Sequence, residues 1–291
     1  MLWAVRAAWF SLAFTVSSVV ADALRSWSAA PTAVVAVLLY GAWAIGLVAL
    51  LVPRPLSFSV LRIVGPAAPA AVITTRWTAA GPSIGAVWIL VLVQAVVACV
   101  LVLSAPIADA CAQSQAYGTE VRRALRTPPL LCVVLALAWC LIALACTAGP
   151  LALANGHTTT GVVECVIALP VLVVLARSVH SLSRRFCVFV PAGIVVSDPL
   201  VLVDPVLLVR EKVLLIGPAA PKPAPQSIDT RLGAYVGGLA IALVESGTFT
   251  LRSGRNATRS VDAAAVVFTP LRAAEVLGLA ASHRLRVDAD R

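Results

Sequence analysis

The stretch Gly161-Val-Val-Glu-Cys-Val-Ile-Ala-Leu-Pro-Val-Leu-Val-Val-Leu-Ala176 is apolar. Arg177, Arg184 and Arg185 follow it, and then Phe186-Cys-Val-Phe-Val-Pro-Ala-Gly-Ile-Val-Val-Ser-Asp198. The first block approaches the roughly 20 apolar residues that a membrane helix needs. The arginines suit the cytoplasmic end of such a helix. The third block reads as two short strands around a Pro191-Ala192-Gly193 turn. A chain that changes character in this way has a membrane-embedded front and a water-soluble back, and residues 183 and 184 divide them.

Composition on either side supports the division. The 291 residues are 60% apolar and 12% charged, against about 25% charged in a soluble domain. Residues 1–183 carry 9 Lys/Arg and 4 Asp/Glu, whereas residues 184–291 carry 13 and 9. All seven Trp precede residue 140 and both Lys, Lys212 and Lys222, follow residue 200. The formal charge of +9 does not point to nucleic acid, because no basic stripe is interleaved with aromatics. The excess of Arg over Lys in an Ala/Val-rich chain suggests a GC-rich bacterial source.

Six apolar segments are expected to span: 7–24, 31–52, 57–75, 84–105, 129–148 and 160–179. With the N-terminus inside, Arg6, Arg54, Arg122, Arg123, Arg126, Arg184 and Arg185 fall on inner segments, with Arg62 and Arg177 near the same face. Only Arg25 and Arg76 fall outside. That asymmetry orients the chain and puts the tail in the cytoplasm. Trp27, Trp77 and Trp88 would then lie in an outer aromatic belt. Residues 1–23 also fit a cleaved secretory signal ending Ala21-Asp22-Ala23; both readings leave the tail on the same side. Pro106–Thr127 reads as a polar inner loop.

The tail, 184–291, reads as about seven strands in meander order closed by a helix, Leu271–Arg284, with Pro270 at its first turn and Leu271, Ala274, Leu277 and Ala281 on its apolar face. Ser246-Gly247 reads as a hairpin turn between Gly237–Glu245 and Thr248–Arg252. Ser253–Ala257 reads as another turn, with Asn256-Ala-Thr258 a chance sequon. Four Pro in Gly217–Gln226 mark an exposed loop. This order is that of a small β-rich, pleckstrin-homology-like (PH-like) domain.

No catalytic constellation emerges. His157, His180 and His283 lack a neighbouring nucleophile motif, and no phosphate-cradling Gly loop or zinc spacing occurs. The seven Cys make no Cys-x-x-Cys pair and read as small hydrophobes. No metal and no cofactor are expected. Ionisable or amide groups inside spans are costly and therefore candidates for function; they are Arg62, Gln94 and Glu164. Glu164 fits a cation or proton site or an interfacial carboxylate. Asp22 fits an interfacial carboxylate, and Gln94 a hydrogen bond to another helix. Arg122, Arg123, Arg126, Arg177, Arg184 and Arg185 would form one basic cluster at the inner face, able to attract anionic headgroups at about 1 kcal/mol each.

Four stretches carry a resemblance: Leu50-Leu-Val-Pro53-Arg54-Pro55; Tyr117-Gly118-x-Glu120 with Arg122-Arg123; Arg177 through Gly193; and Asp198-Pro-Leu-Val-Leu-Val-Asp204-Pro-Val. On these the chain resembles a family of uncharacterised actinobacterial multi-pass membrane proteins with a PH-like C-terminal domain. It departs from the family's Tyr-Gly-x-Glu-Arg-Arg by the inserted Val121. The resemblance covers nearly the whole chain and implies a bacterial cytoplasmic-membrane location but no activity. The function expected is that of a non-enzymatic scaffold or regulator whose cytoplasmic domain binds a protein partner or the inner leaflet. The rival is a small-solute or lipid transporter using intramembrane charges.

Overall fold

A computed structural model describes residues 2–78, 85–254 and 257–288. The expected start of the fourth span at Ile84, and Arg255-Asn256 of the expected turn and sequon, lie outside the described residues. The chain divides into two compact units, one of residues 1–107 and 135–179, the other of residues 108–134 and 180–291.

The helices of the first unit follow from long apolar runs punctuated by Pro and Gly. They are α1 (Leu2–Ala23), α2 (Ala29–Leu51), α3 (Pro55–Val64), α4 (Ala67–Thr74), α5 (Ala86–Val102) and the greater part of α7 (Pro129–Ala154) and α8 (Thr158–Ser183). A further short helix, α6 (Ala105–Gln113), continues from α5. Pro55 sits at the first turn of α3, where its missing N–H costs nothing. The break between α3 and α4 falls at Gly65-Pro66. Among the described residues, six helical segments are long and apolar enough to cross a membrane: Leu2–Ala23, Ala29–Leu51, Pro55–Trp77, Ala86–Gln113, Pro129–Ala154 and Thr158–Ser183. Val37, Leu90, Val100, Leu141, Val166 and Leu169 are exposed on them, as side chains facing lipid would be.

Packing within this unit depends on shape. Trp9 of α1 is buried, and its indole N–H donates to the Trp43 carbonyl at 2.9 Å, while Trp43 donates to the Trp9 carbonyl at 3.2 Å. Gly46 makes room for this exchange, since a Cβ there would lie 2.3 Å from the Trp9 ring. Gly149 and Gly161 play the same part between α7 and α8, where an added Cβ would press on Cys165 and Leu153. Trp139 of α7 donates to the Ile63 carbonyl of α3 at 2.7 Å.

The second unit is built from two four-stranded sheets and a helix. The first sheet is an antiparallel meander of β1 (Val121–Ala124), β2 (Phe186–Val190), β3 (Gly193–Ser197) and β4 (Val206–Val209). The β2–β3 hairpin turns at Pro191-Ala192, with Val190 opposite Gly193. The second sheet contains β5 (Val213–Pro218), β6 (Ser227–Asp229), β7 (Leu239–Arg252) and β8 (Thr258–Phe268), in the order β5-β7-β8-β6. Leu202, in the loop between β3 and β4, bridges Leu251 of β7. Phe189, Ile194, Val196, Ile216, Ile241 and Phe268 form the core, covered by Val276 and Ala280 of α9 (Ala273–Ser282).

Four expectations are corrected. Pro106–Thr127 is not a loop throughout: it holds α6 and β1, and β1 completes the first sheet against β2. The α6 side chains protect the outer edge of β1, Gln113 accepting from the Arg122 N–H at 2.7 Å and Asp109 from the Ala124 N–H at 2.8 Å. The second sheet is not a meander, because β6 lies parallel to β8 at its edge. Ser246-Gly247 is not a hairpin turn. It lies at an irregularity within one long strand, β7, whose register against β8 shifts between Ala242 and Gly247. The last helix begins after Arg272 rather than at Pro270, which bridges Leu125, and its buried residues are Val276 and Ala280; Ala274 and Ala281 are exposed.

Candidate functional site

The expected intramembrane polar residues are dispersed. Gln94 on α5 donates to the Ser11 hydroxyl of α1 at 2.8 Å, a hydrogen bond between helices. Arg62 stacks its guanidinium 4.3 Å from the Phe58 ring on the same helix. Glu164 on α8 is half-buried, and its Oε2 has no hydrogen-bond partner among the described residues. Asp22 pairs with Arg25 at 2.7 Å on an exposed surface.

The basic residues of the expected cluster take separate roles. Arg185 is a correction: it is not a surface cation. Its side chain is 2% exposed and pairs with Asp198, 0% exposed, at 2.7 Å. It also donates to the Arg126 carbonyl at 2.7 Å and to the Thr230 carbonyl at 2.8 Å. A charge desolvated to this degree needs such partners. Arg122 pairs with Glu120 at 3.1 Å and stacks on Phe186, and Arg123 lies 3.7 Å from Glu275. The Arg122 hydrogen bond and the Tyr117 N–H hold the Glu120 carboxyl below its ordinary range. Arg126 is half-buried, and Arg177 and Arg184 are exposed. A pair of adjacent arginines at the end of a span therefore divides between solvent and core.

Among the described residues, two further ion pairs, each with one buried partner, were not legible in the sequence. Arg231, fully buried, binds both oxygens of Asp229 at 2.9 Å, donates to the Ala220 and Pro221 carbonyls and stacks on Tyr235. Arg272 reaches Asp109 at 2.8 Å and also pairs with Glu275. These groups hold α6, β1 and the loops of the second unit together. Cys187 on β2 lies among them. Burial, and next the Asp109 charge, push its thiol up to about 12. All seven Cys are free.

No group of three or more His, Cys, Asp or Glu that could hold a metal occurs among the described residues. His283 is at the end of α9 with its ring 5.3 Å from that of Phe189.

A different basic feature is formed where the sequence suggested none. A cleft of about 260 Å³ in the second unit is lined by Arg210, Glu211, Val213, Leu214, Val244, Arg284, Leu285 and Arg286. Arg210 and Glu211 belong to the turn before β5, Val213 and Leu214 to β5, and Val244 to β7. The remaining three follow α9. The segment after α9 lies along the free edge of β5: the Ile216 N–H donates to the Arg286 carbonyl and the Asp288 N–H to the Ile216 carbonyl, both at 2.8 Å. Gly217 permits this approach, since a Cβ would meet Asp288 at 3.0 Å.

No family model, curated protein or solved structure matches the chain.

Proposed function

We propose that the chain is a non-enzymatic multi-pass protein of the bacterial cytoplasmic membrane, a scaffold or regulator of the actinobacterial kind it resembles. Its β-rich unit, PH-like in its two sheets and closing helix, faces the cytoplasm and binds a protein partner or the inner leaflet. The observation that carries this reading is how the second unit uses its charges. Arg185, Arg231 and Asp109 are buried in ion pairs that hold strands and loops together, and a packed apolar core lies beneath them. Groups committed in this way hold a shape. They are engaged by partners within the fold and are not presented to a substrate.

One observation favours the transport reading: the buried Glu164 Oε2, without a partner among the described residues, in a helix that also contains Pro170. The test separates the two. Photocrosslinking residues placed at Tyr117 or Lys222 of the full chain should capture one defined protein or anionic lipid in native membranes. Solute uptake into proteoliposomes that is lost in Glu164→Gln would contradict the scaffold reading and establish the other.

A further inference from the structure

We propose that the cleft of Arg210, Arg284 and Arg286 binds a phosphomonoester or pyrophosphate group. This deepens the binding-module reading and rests on it. Three guanidinium groups and one carboxylate line the cleft, so its lining is cationic. No ion pair of Arg210, Arg284 or Arg286 is found among the described residues, in contrast to Arg185, Arg231 and Arg272 in the same unit. Arg210 donates to the Pro191 carbonyl at 2.6 Å through one terminal nitrogen, and its Nε, like that of Arg185, is buried with no partner among the described residues. Arginine forks match phosphate oxygens and give short, charge-assisted hydrogen bonds.

The backbone supplies a second, independent argument. Helix α9 ends in a Schellman motif: the Leu285 N–H donates to the Ala280 carbonyl at 3.0 Å and the Arg284 N–H to the Ala281 carbonyl at 2.9 Å. The residue between helix and anchor must adopt a left-handed conformation, and glycine is the usual occupant. Here it is Arg284, at φ 60°. A long side chain held where glycine is preferred is a strain that clusters at functional positions. Leu285, buried in the core, fixes the segment, and Arg284 and Arg286 flank it, both exposed. The anchor thus presents two cations at the mouth of the cleft.

Size and polarity narrow the ligand. About 260 Å³ is below the roughly 300–1,000 Å³ of sites for drug-sized molecules, so the cleft takes a headgroup or a small anion and not a whole cofactor. The half-exposed Leu214 and Val244 beside the arginines suit a phosphate carried on an apolar body as well as a free one. Glu211 opposes the anion.

The test uses the full chain in neutral maltoside detergent at fixed ionic strength, titrated by calorimetry with sodium pyrophosphate and, separately, with dihexanoyl phosphatidic acid. Saturable binding of at least one probe is expected, weakened about tenfold or more in Arg284→Gly and in Arg286→Ala and strengthened in Glu211→Gln. Comparable binding of both probes assigns a free phosphate; binding of phosphatidic acid alone assigns a lipid headgroup. Arg284→Gly should also be at least as thermostable as the wild type, because it relieves the left-handed position. Wild-type protein that binds neither probe would overturn the proposal, as would undiminished binding in Arg284→Gly and Arg286→Ala. If neither probe binds but a partner protein is still captured at Tyr117 or Lys222, the binding-module reading stands and this inference alone falls.

Discussion

The two units settle their polar groups in opposite ways. In the helical unit, Ser and Thr side chains return to carbonyls of their own helix, as Thr15 does to Ser11 and Thr147 to Ala143. Arg6 donates twice to the Leu50 carbonyl, at 3.1 and 3.0 Å. Specificity between helices comes from fitted shapes, Gly46 against Trp9 above all. In the β-rich unit, buried charges find partners from other elements: Arg185 the Asp198 carboxylate and the Thr230 carbonyl, and Asp109 the partly exposed Arg272. Where spans lie in lipid, apolar burial contributes little to the choice of partner and close packing decides it. Where the surroundings are water, burying a charge is costly unless its partners are in place, so each buried pair ties its elements together.

This contrast can be broken at its strongest point first. Asp198→Ala leaves Arg185 buried without its counter-charge and should cost about 3–5 kcal/mol. Proteolysis of the β-rich unit at sites cut slowly in the wild type would report it; unchanged protection would remove the ion pair from the account. A chemical version uses Cys187. With its thiol raised to about 12, its thiolate fraction at pH 8 should be about a thousandfold below that of an ordinary cysteine. In a variant retaining only that cysteine, alkylation should require unfolding. The sign for stability follows: the folded state prefers the neutral thiol. This contribution is therefore complete below the ordinary thiol value near 9 and is lost as pH rises towards 12.

The helical unit should respond to shape. Gly46→Val drives a side chain into Trp9 and should destabilise α1 against α2 by about 1–3 kcal/mol, read as a lower unfolding temperature in detergent; Gly41→Ala, in open space, is the control. The smallest effect belongs to Gln94→Leu, which removes the hydrogen bond to Ser11 and should cost about 0.6 kcal/mol. A loss as large as that at Asp198 would mean that polar pairing governs both units alike.

How much of this the sequence carried depends on the range of the interaction concerned. The six apolar segments and the Phe186–Ser197 hairpin were legible because period and turn chemistry are local. Strand β1 was not. Four residues with two arginines carry no strand signal, and after a span they read as topogenic charge; they become a strand only because β2 and the α6 side chains pair with them. Arg185 failed for the same reason, being identical in type to Arg184 beside it and distinguished only by Asp198 and Thr230 in space. The cleft was hidden because Arg284 and Arg286 lie far from Arg210 in the chain, and because a left-handed arginine has no sequence signature. Sites for anions built from separate loops are generally illegible in this way.

The segment between the fourth and fifth spans completes the β-rich unit through β1, and the proposed function puts that unit on the cytoplasmic side. Tyr117 precedes β1 and is exposed; Lys222 lies in the exposed loop before β6. Single cysteines at these positions, Tyr117→Cys and Lys222→Cys in a cysteine-free chain, can be probed with a membrane-impermeant maleimide. Both should react in inverted membrane vesicles and neither in right-side-out vesicles. Labelling of the two from opposite sides would contradict their place in one β-rich unit, and labelling of both from outside would contradict the cytoplasmic placement.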